Sequence, residues 1–281
     1  MDRQSRPHSS QSDSAGIIAA VTPAYNEEHN LGEVAASMFS QTLKPITWII
    51  VDDGSSDGTF ALARKLAESR AWVTLIKKER DVGIHDASFK EFEFGVSNLK
   101  SDWKYLMKLD ADTKLPPSFL EKVVEKFESE ETLGIASGVC AGEPGVSSHP
   151  RGNNRVYRRE CWEHVRFPES GLGWDTVDEV FARLNGWQTK AFSDLVCAHM
   201  RSKLPDAKYR FHQGRLSRYL GYYWWFVLGR SAKMLSHSGI RPSLAYLGGH
   251  LKGGLGSADE RTKQAVRMDQ RNRIARIMRL E

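Results

Sequence analysis

The stretch YLMKLDAD, at residues 105–112, decides the fold, because a short apolar run ends there in two closely spaced aspartates. An apolar run of this length, stopped by a turn-forming residue, is typical of a buried strand. The carboxylates of Asp110 and Asp112 repel each other unless a cation lies between them, and oxygen ligands suit Mg²⁺ or Mn²⁺. Because paired aspartates are also common in ordinary turns, the cation depends on what the rest of the fold brings to them.

Strands and helices alternate on both sides of this stretch. Three further apolar runs predict buried strands, at residues 16–22, 47–51 and 72–76. Four segments have apolar residues at helical spacing, at residues 30–41, 59–69, 86–98 and 117–128. A later apolar run predicts one more strand, at residues 194–197. The alternation predicts an α/β fold with a mixed, mostly parallel sheet flanked by helices.

Polar clusters follow three of the predicted strands, which is where ligands bind in sheets of this kind. They lie at residues 22–26, 52–57 and 110–112. The carboxylate of Asp53 can accept hydrogen bonds from a base or a ribose, or it can simply shape the turn at Gly54. The topology brings these distant segments together and so predicts a single binding crevice.

These clusters and one later segment resemble the inverting, nucleotide-sugar-dependent glycosyltransferases of family 2. The matching text is AAVTPAYNEEHNL at 19–31, SQTLKPITWIIVDDGSSDGT at 40–59, LMKLDADTKLPPSFLEK at 106–122 and GWDTVDEVFARLNGWQT at 173–189. Four motifs in the right order are far more specific than any one of them. The resemblance covers residues 16–200 and implies the GT-A fold, which is Rossmann-like.

The resemblance also implies a donor site. The residues that would contact the nucleotide sugar are Thr22, Pro23, Ala24, Tyr25, Glu27, Asp53, Asp110 and Ala111. The residues that would hold a Mn²⁺ or Mg²⁺ cofactor are Asp110, Asp112 and His199. A late histidine completes the metal site in many GT-A enzymes, although a lone histidine is as often structural. Arg201 lies close by in sequence and could neutralise the leaving diphosphate.

The catalytic base is ambiguous in this chain. The family's base is an acidic residue, often within Glu-Asp-x-Asp, whereas residues 174–179 read WDTVDE. An inverting transfer needs one carboxylate to deprotonate the acceptor hydroxyl. Asp178 is the first candidate, Asp175 is the second, and Glu179 is the remaining acidic residue of the motif. Asp178 and Glu179 could instead stabilise the start of the following helix, and a lipid phosphate acceptor would need no base.

The segment at residues 80–95 departs from the family pattern. The family usually has an Asn-x-Gly stretch followed by small residues at this place. Here Asp81 replaces the asparagine, and His85, Phe89 and Phe92 are bulkier than usual. The selectivity for base and sugar is therefore left open.

Charge and aromatic residues set the C-terminal region apart. The net charge of the chain is +5, and residues 201–281 alone contain 17 Lys/Arg against 5 Asp/Glu. The segment at 210–234 mixes aromatic residues with arginines, which suits the interface of an anionic membrane or, equally, a helix packed on the rest of the protein. The segment at 261–279 predicts a further cationic amphipathic helix. Nucleic acid is not expected, because no recognition motif accompanies the charge.

The chain divides into three predicted segments. They are a disordered N-terminal tail at 1–15, a GT-A domain at 16–203 and a basic, aromatic, mainly helical region at 204–281. The polar tail does not resemble a secretory signal, and no apolar run approaches the roughly 20 residues that a membrane span needs. Three cysteines without a metal-site spacing suit a reducing compartment. A cytoplasmic protein is expected, with peripheral contact to an anionic membrane face through residues 210–281.

The sequence thus predicts a metal-dependent glycosyltransferase of cell-envelope glycan biosynthesis. It would move a sugar from a nucleotide-diphosphate donor to a saccharide or lipid-linked acceptor with inversion. Two alternatives stay open: transfer onto a polyprenyl phosphate, as in dolichyl-phosphate-sugar synthases, and a non-catalytic relative that only binds nucleotide sugars.

Overall fold

The computed structural model describes residues 17–80, 87–142, 149–201 and 206–278. The predicted N-terminal tail at 1–15 lies outside the described residues, and so do Asp81 and His85 of the divergent segment. Within the described ranges, no helix combines the length and the apolar character that crossing a membrane requires.

One eight-stranded sheet forms the centre of the protein. Its strands are β1 (Ile18–Ala24), β2 (Thr47–Asp53), β3 (Val73–Lys78), β4 (Tyr105–Leu109), β5 (Thr113–Lys114), β6 (Leu133–Cys140), β7 (Asn154–Arg158) and β8 (Gln188–His199). The spatial order is β3-β2-β1-β4-β7-β6-β8-β5. The run from β3 to β4 is parallel, whereas β7 is antiparallel to both of its neighbours. The predicted α/β fold with a mixed, mostly parallel sheet is confirmed.

Helices flank this sheet and also make up the C-terminal region. Six helices lie between strands in the chain: α1 (Leu31–Phe39), α2 (Thr59–Ser69), α3 (Ala87–Ser97), α4 (Phe119–Ser129), α5 (Arg159–Trp162) and α6 (Trp174–Leu184). Four follow the sheet: α7 (Ala207–Tyr219), α8 (Trp224–Ser238), α9 (Ile240–Lys252) and α10 (Glu260–Met278). The mainly helical character predicted for the C-terminal region is confirmed, while a domain boundary at 203/204 stays a prediction.

The sheet register aligns the ends of three strands that carry the polar clusters. Ala24 at the end of β1 lies beside Asp52 in β2, and Val21 lies beside Lys108 in β4. Since the three strands are parallel neighbours, their carboxyl ends open at one edge of the sheet. This places residues 22–26, 52–57 and 110–112 around one crevice.

The sequence did not predict β6 or β7, and β7 shows why. Its sequence, NRVYR, contains two arginines and an asparagine, yet all five residues are buried. The Arg155 guanidinium pairs with acidic residues of α6, and the Arg158 guanidinium donates to the backbone carbonyls of Phe127, Glu130 and Leu133. Charged residues can be buried when partners satisfy them, and those partners are distant in sequence.

The C-terminal helices pack against α6. Apolar residues from α6, α7 and α10 form one buried cluster, which includes Val177, Phe181, Tyr219 and Val266. The guanidinium of Arg183 in α6 donates to both carboxylate oxygens of Asp269 in α10, at 2.8 and 3.0 Å. The predicted helix at 261–279 therefore has one face committed to the rest of the protein.

Candidate active site

A cleft of about 270 Å³ lies at the carboxyl ends of β1, β2 and β4. Eight residues named from the sequence line it: Pro23, Ala24, Tyr25, Glu27, Asp53, Asp110, Ala111 and Asp112. Four others complete the lining: Arg80, Ser88, Glu91 and Arg201. Of these four, the sequence had suggested a role only for Arg201.

Thr22 lies behind the cleft. Its side chain is fully buried, and its hydroxyl oxygen accepts a hydrogen bond of 2.9 Å from the indole Nε1 of Trp48. Thr22 is not among the lining residues. Its hydroxyl therefore holds β1 against β2, and a direct contact with the nucleotide remains only a prediction.

Asp53 and Glu91 form a pair of buried carboxyl groups on one wall of the cleft. Burial raises the pKa of both, and one oxygen of each, Asp53 Oδ1 and Glu91 Oε2, is buried without a hydrogen-bond partner among the described residues. Lys78 lies 3.0 Å from Glu91, and Arg80 lies 3.6 Å from Asp53, and these cations oppose the rise in pKa. The negative charge of Asp53 also raises the pKa of Glu91, because like charges repel. Glu91 was missed in the sequence because it sits between the core residues Phe89 and Phe92.

Tyr25 and Arg80 form the outer edge of the same wall. The Arg80 guanidinium lies 3.4 Å from the centroid of the Tyr25 ring, within the range of a cation–π contact. Both side chains line the cleft and are partly exposed. A planar group with a π face, such as a nucleobase, could stack in this setting.

The bulky phenylalanines of the divergent segment do not enter the cleft. Phe89 and Phe92 are fully buried under the sheet. The Phe89 ring stacks on Trp174, with 5.0 Å between centroids, and the Phe92 ring stacks on Tyr157 at 6.3 Å. Both side chains therefore fill space in the core and do not reduce the volume of the cleft.

Asp110 and Asp112 follow β4 as predicted and face the cleft, but each has a cationic neighbour. The Asp110 carboxylate pairs with the buried ammonium group of Lys108. Asp112 lies 3.2 Å from the imidazole Nε2 of His199 and 3.2 Å from Nε of Arg201. Arg201 also pairs with Glu27 on the opposite side.

His199 reaches Asp112 because of local strand pairing. It is the last residue of β8 and lies directly opposite Thr113 of β5, the strand that follows Asp112. The Asp112 carboxylate raises the pKa of His199, mainly through their hydrogen bond. The structure thus brings together two of the three predicted metal ligands in one contact.

The donor set fits a cation that is shared with a substrate. Among the described residues, no group of three or more His, Cys, Asp or Glu side chains is arranged to hold a metal ion alone. Mg²⁺ is usually held by one or two carboxylates together with substrate phosphates rather than by a complete protein cage. Asp112 and His199, with Asp110 on the same cleft, provide such an incomplete set, and a diphosphate would supply the missing oxygens.

The three acidic residues of α6 differ sharply in their surroundings. Asp178 is 0% exposed and accepts hydrogen bonds from Arg155 at 2.6 Å and from the Tyr157 hydroxyl at 2.6 Å. Glu179 is also buried and pairs with Arg155 at 2.9 Å. Asp175, in the first turn, is partly exposed. None of the three lines the cleft, but Asp178 and Glu179 are also buried, so neither of these two has the access that a catalytic base needs.

The buried cluster of α6 is held by opposing charges. Burial raises the pKa of Asp178, although Arg155 opposes this. For Glu179, burial alone would raise the pKa, but His149, Arg155 and Arg183 together lower it. The charges of Arg155 and Glu179 are thus mutually compensated, as buried ions must be. This arrangement favours a structural role for Asp178 and Glu179.

Comparison with known proteins gives consistent relatives. The dolichol-phosphate mannosyltransferase of Pyrococcus furiosus is 26% identical over 127 residues, which are 44% of this chain and 34% of that protein. The polyprenol monophosphomannose synthase of Mycolicibacterium smegmatis is 28% identical over 123 residues, which are 43% of this chain and 45% of that protein. The matched regions thus span a third to just under a half of these curated relatives.

Solved structures support the GT-A fold. A mannosyltransferase from Pyrobaculum calidifontis, in complex with GDP-Man and Mn²⁺, superimposes with a TM-score of 0.56 at 18% identity. The superposition covers 84% of this chain and 69% of that one. Residues 19–176, more than half of the chain, match the family described as glycosyl transferase family 2. The chain therefore belongs to glycosyl transferase family 2.

Proposed function

We propose that this protein is a glycosyltransferase that uses a nucleotide-diphosphate sugar and a divalent cation, Mn²⁺ or Mg²⁺, and inverts the anomeric centre. One observation carries the proposal. Residues from three strand ends, Ala24 of β1, Asp53 of β2 and the Asp110–Asp112 turn after β4, line a single cleft together with the cationic Arg201. Such a cleft can accept a base at one end and a diphosphate at the other.

The base end of the cleft would be the wall of Asp53 and Glu91. A nucleobase could stack beside Tyr25 and Arg80, with its polar edge towards the carboxyl pair. Because that pair is buried, a donor group on the base would meet acceptors that water does not compete for strongly. Pro23, Ala24 and Glu27 would form the floor and rim.

The diphosphate end would be the region of Asp110, Ala111 and Asp112. The cation, when bound with the donor, would offset the charge of the leaving diphosphate. Arg201 would provide a second, protein-borne charge by exchanging its contacts with Asp112 and Glu27 for phosphate oxygens. His199 would complete the cation ligands or orient Asp112.

Asp175 is the proposed base for a hydroxyl acceptor. It is the partly exposed acid of the 174–179 motif, and its position at the start of α6 is fixed by the bond from Arg155 to its backbone carbonyl, 3.0 Å long. Asp178 was the first choice from the sequence, and its complete burial moves the proposal to Asp175.

A polyprenyl phosphate is the acceptor class that the relatives favour. Two of them are named as a dolichol-phosphate mannosyltransferase and a polyprenol monophosphomannose synthase. A phosphate oxygen is already ionised at neutral pH and needs no base, so Asp175 would then only position the acceptor. Such an acceptor would keep the enzyme at a membrane face, in line with a peripheral cytoplasmic location.

The proposal is tested by donor hydrolysis and transfer with and without Mn²⁺. Asp112→Asn should lower the metal-dependent rate by at least roughly 100-fold. The matched control is Asp102→Asn, because that side chain is 95% exposed and lies outside the cleft lining. Its rate should stay within about twofold. Donor binding without turnover on saccharide and polyprenyl-phosphate acceptors would favour the non-catalytic alternative.

A further inference from the structure

The helices α8 and α9 form an antiparallel hairpin. They are joined at Gly239, whose φ of 88° lies in the left-handed region that favours glycine. Three contacts run from the open end to the turn: Trp224 to His250 at 4.7 Å between rings, Arg230 to Tyr246 at 5.7 Å, and Ser231 to Ser243 at 2.7 Å. These successive pairs show that the helices lie side by side along their length.

Each helix of the hairpin has an apolar stripe apart from its packed face. The packed faces hold the buried residues Val227, Ser231 and Met234 of α8 and Ser243, Tyr246, Gly249 and His250 of α9. The stripes hold Trp224, Leu228 and Leu235 of α8 and Ile240, Leu244 and Leu251 of α9. Both stripes have the same spacing of four and then seven residues, which keeps them on one side of a helix. We call these six residues the hairpin stripe.

The hairpin stripe is exposed over its whole length. Its six residues are between 49% and 64% exposed. Seen along each helix from its N-terminus, the stripe is rotated from the packed face in the same direction in α8 and in α9. Because the two helices run antiparallel with their packed faces together, both stripes lie on the same side of the hairpin. Monomeric proteins rarely leave so continuous an apolar surface in water, so the surface indicates a partner.

The charge around the hairpin indicates what that partner is. Between residues 207 and 258 the chain has eight Lys/Arg and no Asp/Glu. Arg241 and Lys252 of α9 are exposed and lie about a quarter turn around the helix from its stripe, whereas the exposed Lys233 lies on the far side of α8. The surface is thus an apolar ridge flanked by cations of α9, in a stretch of sequence without acidic residues, which suits an anionic, apolar partner.

Two arginines, one on α7 and one on α8, also favour an anionic partner. Arg210 of α7 and Arg230 of α8 are close enough to influence each other, and burial together with Arg230 lowers the pKa of Arg210. The Nε of Arg210 is buried and has no hydrogen-bond partner within the described residues. The Arg210 Nε is thus an unused donor close to the hairpin, and an anionic group such as a phosphate could accept a hydrogen bond from it.

We infer that the hairpin stripe lies in the headgroup and upper acyl layer of an anionic bilayer, with the surrounding cations on lipid phosphates. This narrows the membrane contact expected for residues 210–281 to one face of α8 and α9. A second copy of the chain is a poor occupant, since two such faces would bring the exposed Arg241 and Lys252 of both copies together. The inference concerns a surface apart from the donor cleft, and it does not rest on sugar transfer.

Co-sedimentation of the full chain with vesicles tests the inference. Vesicles of phosphatidylglycerol and phosphatidylcholine should bind the protein at low salt, and pure phosphatidylcholine should bind it at least roughly tenfold more weakly. Leu244→Glu should lower binding to the anionic vesicles by roughly tenfold or more, because it places a charge in the apolar layer.

Met268→Glu is the matched control. Met268 is 55% exposed on α10, outside the hairpin stripe, and the substitution changes the charge by the same amount. It should leave vesicle binding within about twofold. Equal losses in both variants, or no binding of the unaltered protein to anionic vesicles, would overturn the inference. So would a dimer in analytical ultracentrifugation that Leu244→Glu dissociates. Donor hydrolysis in detergent-free buffer should be unchanged in Leu244→Glu, which separates this test from that of the proposed function.

Discussion

Asp178 and Arg155 form an ion pair in the interior, with 2.6 Å between Oδ2 and Nη1 and no exposed surface on either side chain. The pair joins α6 to β7, and the Tyr157 hydroxyl completes it at 2.6 Å. A guanidinium in such a place depends on its acidic partners, because the desolvation of an unpaired charge is costly. The WDTVDE motif therefore helps to hold the fold together as well as to present an acid at the surface.

Asp178→Asn should destabilise the protein strongly. It removes one of the two carboxylates that balance Arg155, and breaking a buried pair from one side costs about 3–5 kcal/mol. The free energy of unfolding from denaturant titration measures this. Asp175→Asn, on the same helix but partly exposed, should change it by less than about 1 kcal/mol. Equal stability of the two variants would contradict the structural role of Asp178.

Asp175→Asn should affect turnover instead. With a hydroxyl acceptor, the loss of a general base should lower kcat by roughly 10²–10⁴-fold while the KM for the donor changes little. With a polyprenyl phosphate acceptor, kcat should stay within about fivefold, because no proton has to be removed. Steady-state kinetics with both acceptors separate these cases. Full activity of the variant on every acceptor would remove Asp175 as the base.

The contact between His149 and Glu179 should make stability depend on pH. The imidazole Nδ1 lies 2.7 Å from the Glu179 carboxylate, which raises the pKa of His149 above its usual value. The contact therefore stabilises the folded protein fully below the unfolded-state histidine pKa of about 6.5, and this stabilisation is lost as the pH rises through the higher folded-state pKa.

The variant His149→Gln measures that contribution. The difference in Tm from the unaltered protein should be largest near pH 6 and should shrink towards pH 9, values chosen on either side of the usual histidine pKa of about 6.5. Since the imidazole is 39% exposed, solvent screening should limit the effect to under about 1 kcal/mol. A difference that grows with pH would contradict the assignment.

The bond between Arg183 and Asp269 should fasten α10 to α6. Asp269→Asn should lower the free energy of unfolding by about 1.5–3 kcal/mol, the usual contribution of a hydrogen bond to a charged group. A double-mutant cycle with Arg183→Gln should show a coupling energy of at least about 0.5 kcal/mol. Asp259→Asn, just before the start of the same helix, serves as a comparison, because its carboxylate accepts hydrogen bonds from Thr262 of α10 instead of from α6. Additive effects of the two changes would show that the side chains act independently.

The fold was predictable because local signals agree with it. The strand YLMKL at 105–109 and the helix at 59–69 have the bounds that their patterns predict, and the strand ends at Asp53 and Asp110 carry polar clusters that parallel topology must bring together. The sequence could not predict β7, since its arginines become acceptable in the core only through partners on α6 and in the backbone near α4.

The site residues that follow a strand could be predicted from the sequence, whereas those that lie on a helix could not. Eight cleft residues come from strand ends or the turns after them. Glu91 was not found, because a glutamate between two phenylalanines on α3 looks like an ordinary surface residue until its neighbours are known. The choice between Asp175 and Asp178 had the same cause. Three residues apart on one helix, they differ only in which neighbouring element covers them.

Cation-dependent donor binding tests the central claim most directly. The protein and Asp112→Asn should be compared by thermal shift with a panel of nucleotide-diphosphate sugars, with and without Mn²⁺. At a donor concentration about a hundredfold above Kd, the Tm of the unaltered protein should rise by roughly 5–10 °C only when Mn²⁺ is present. Asp112→Asn should lose this rise. A rise that does not need Mn²⁺, or one that Asp112→Asn keeps in full, would contradict a cation held between this carboxylate and the donor diphosphate.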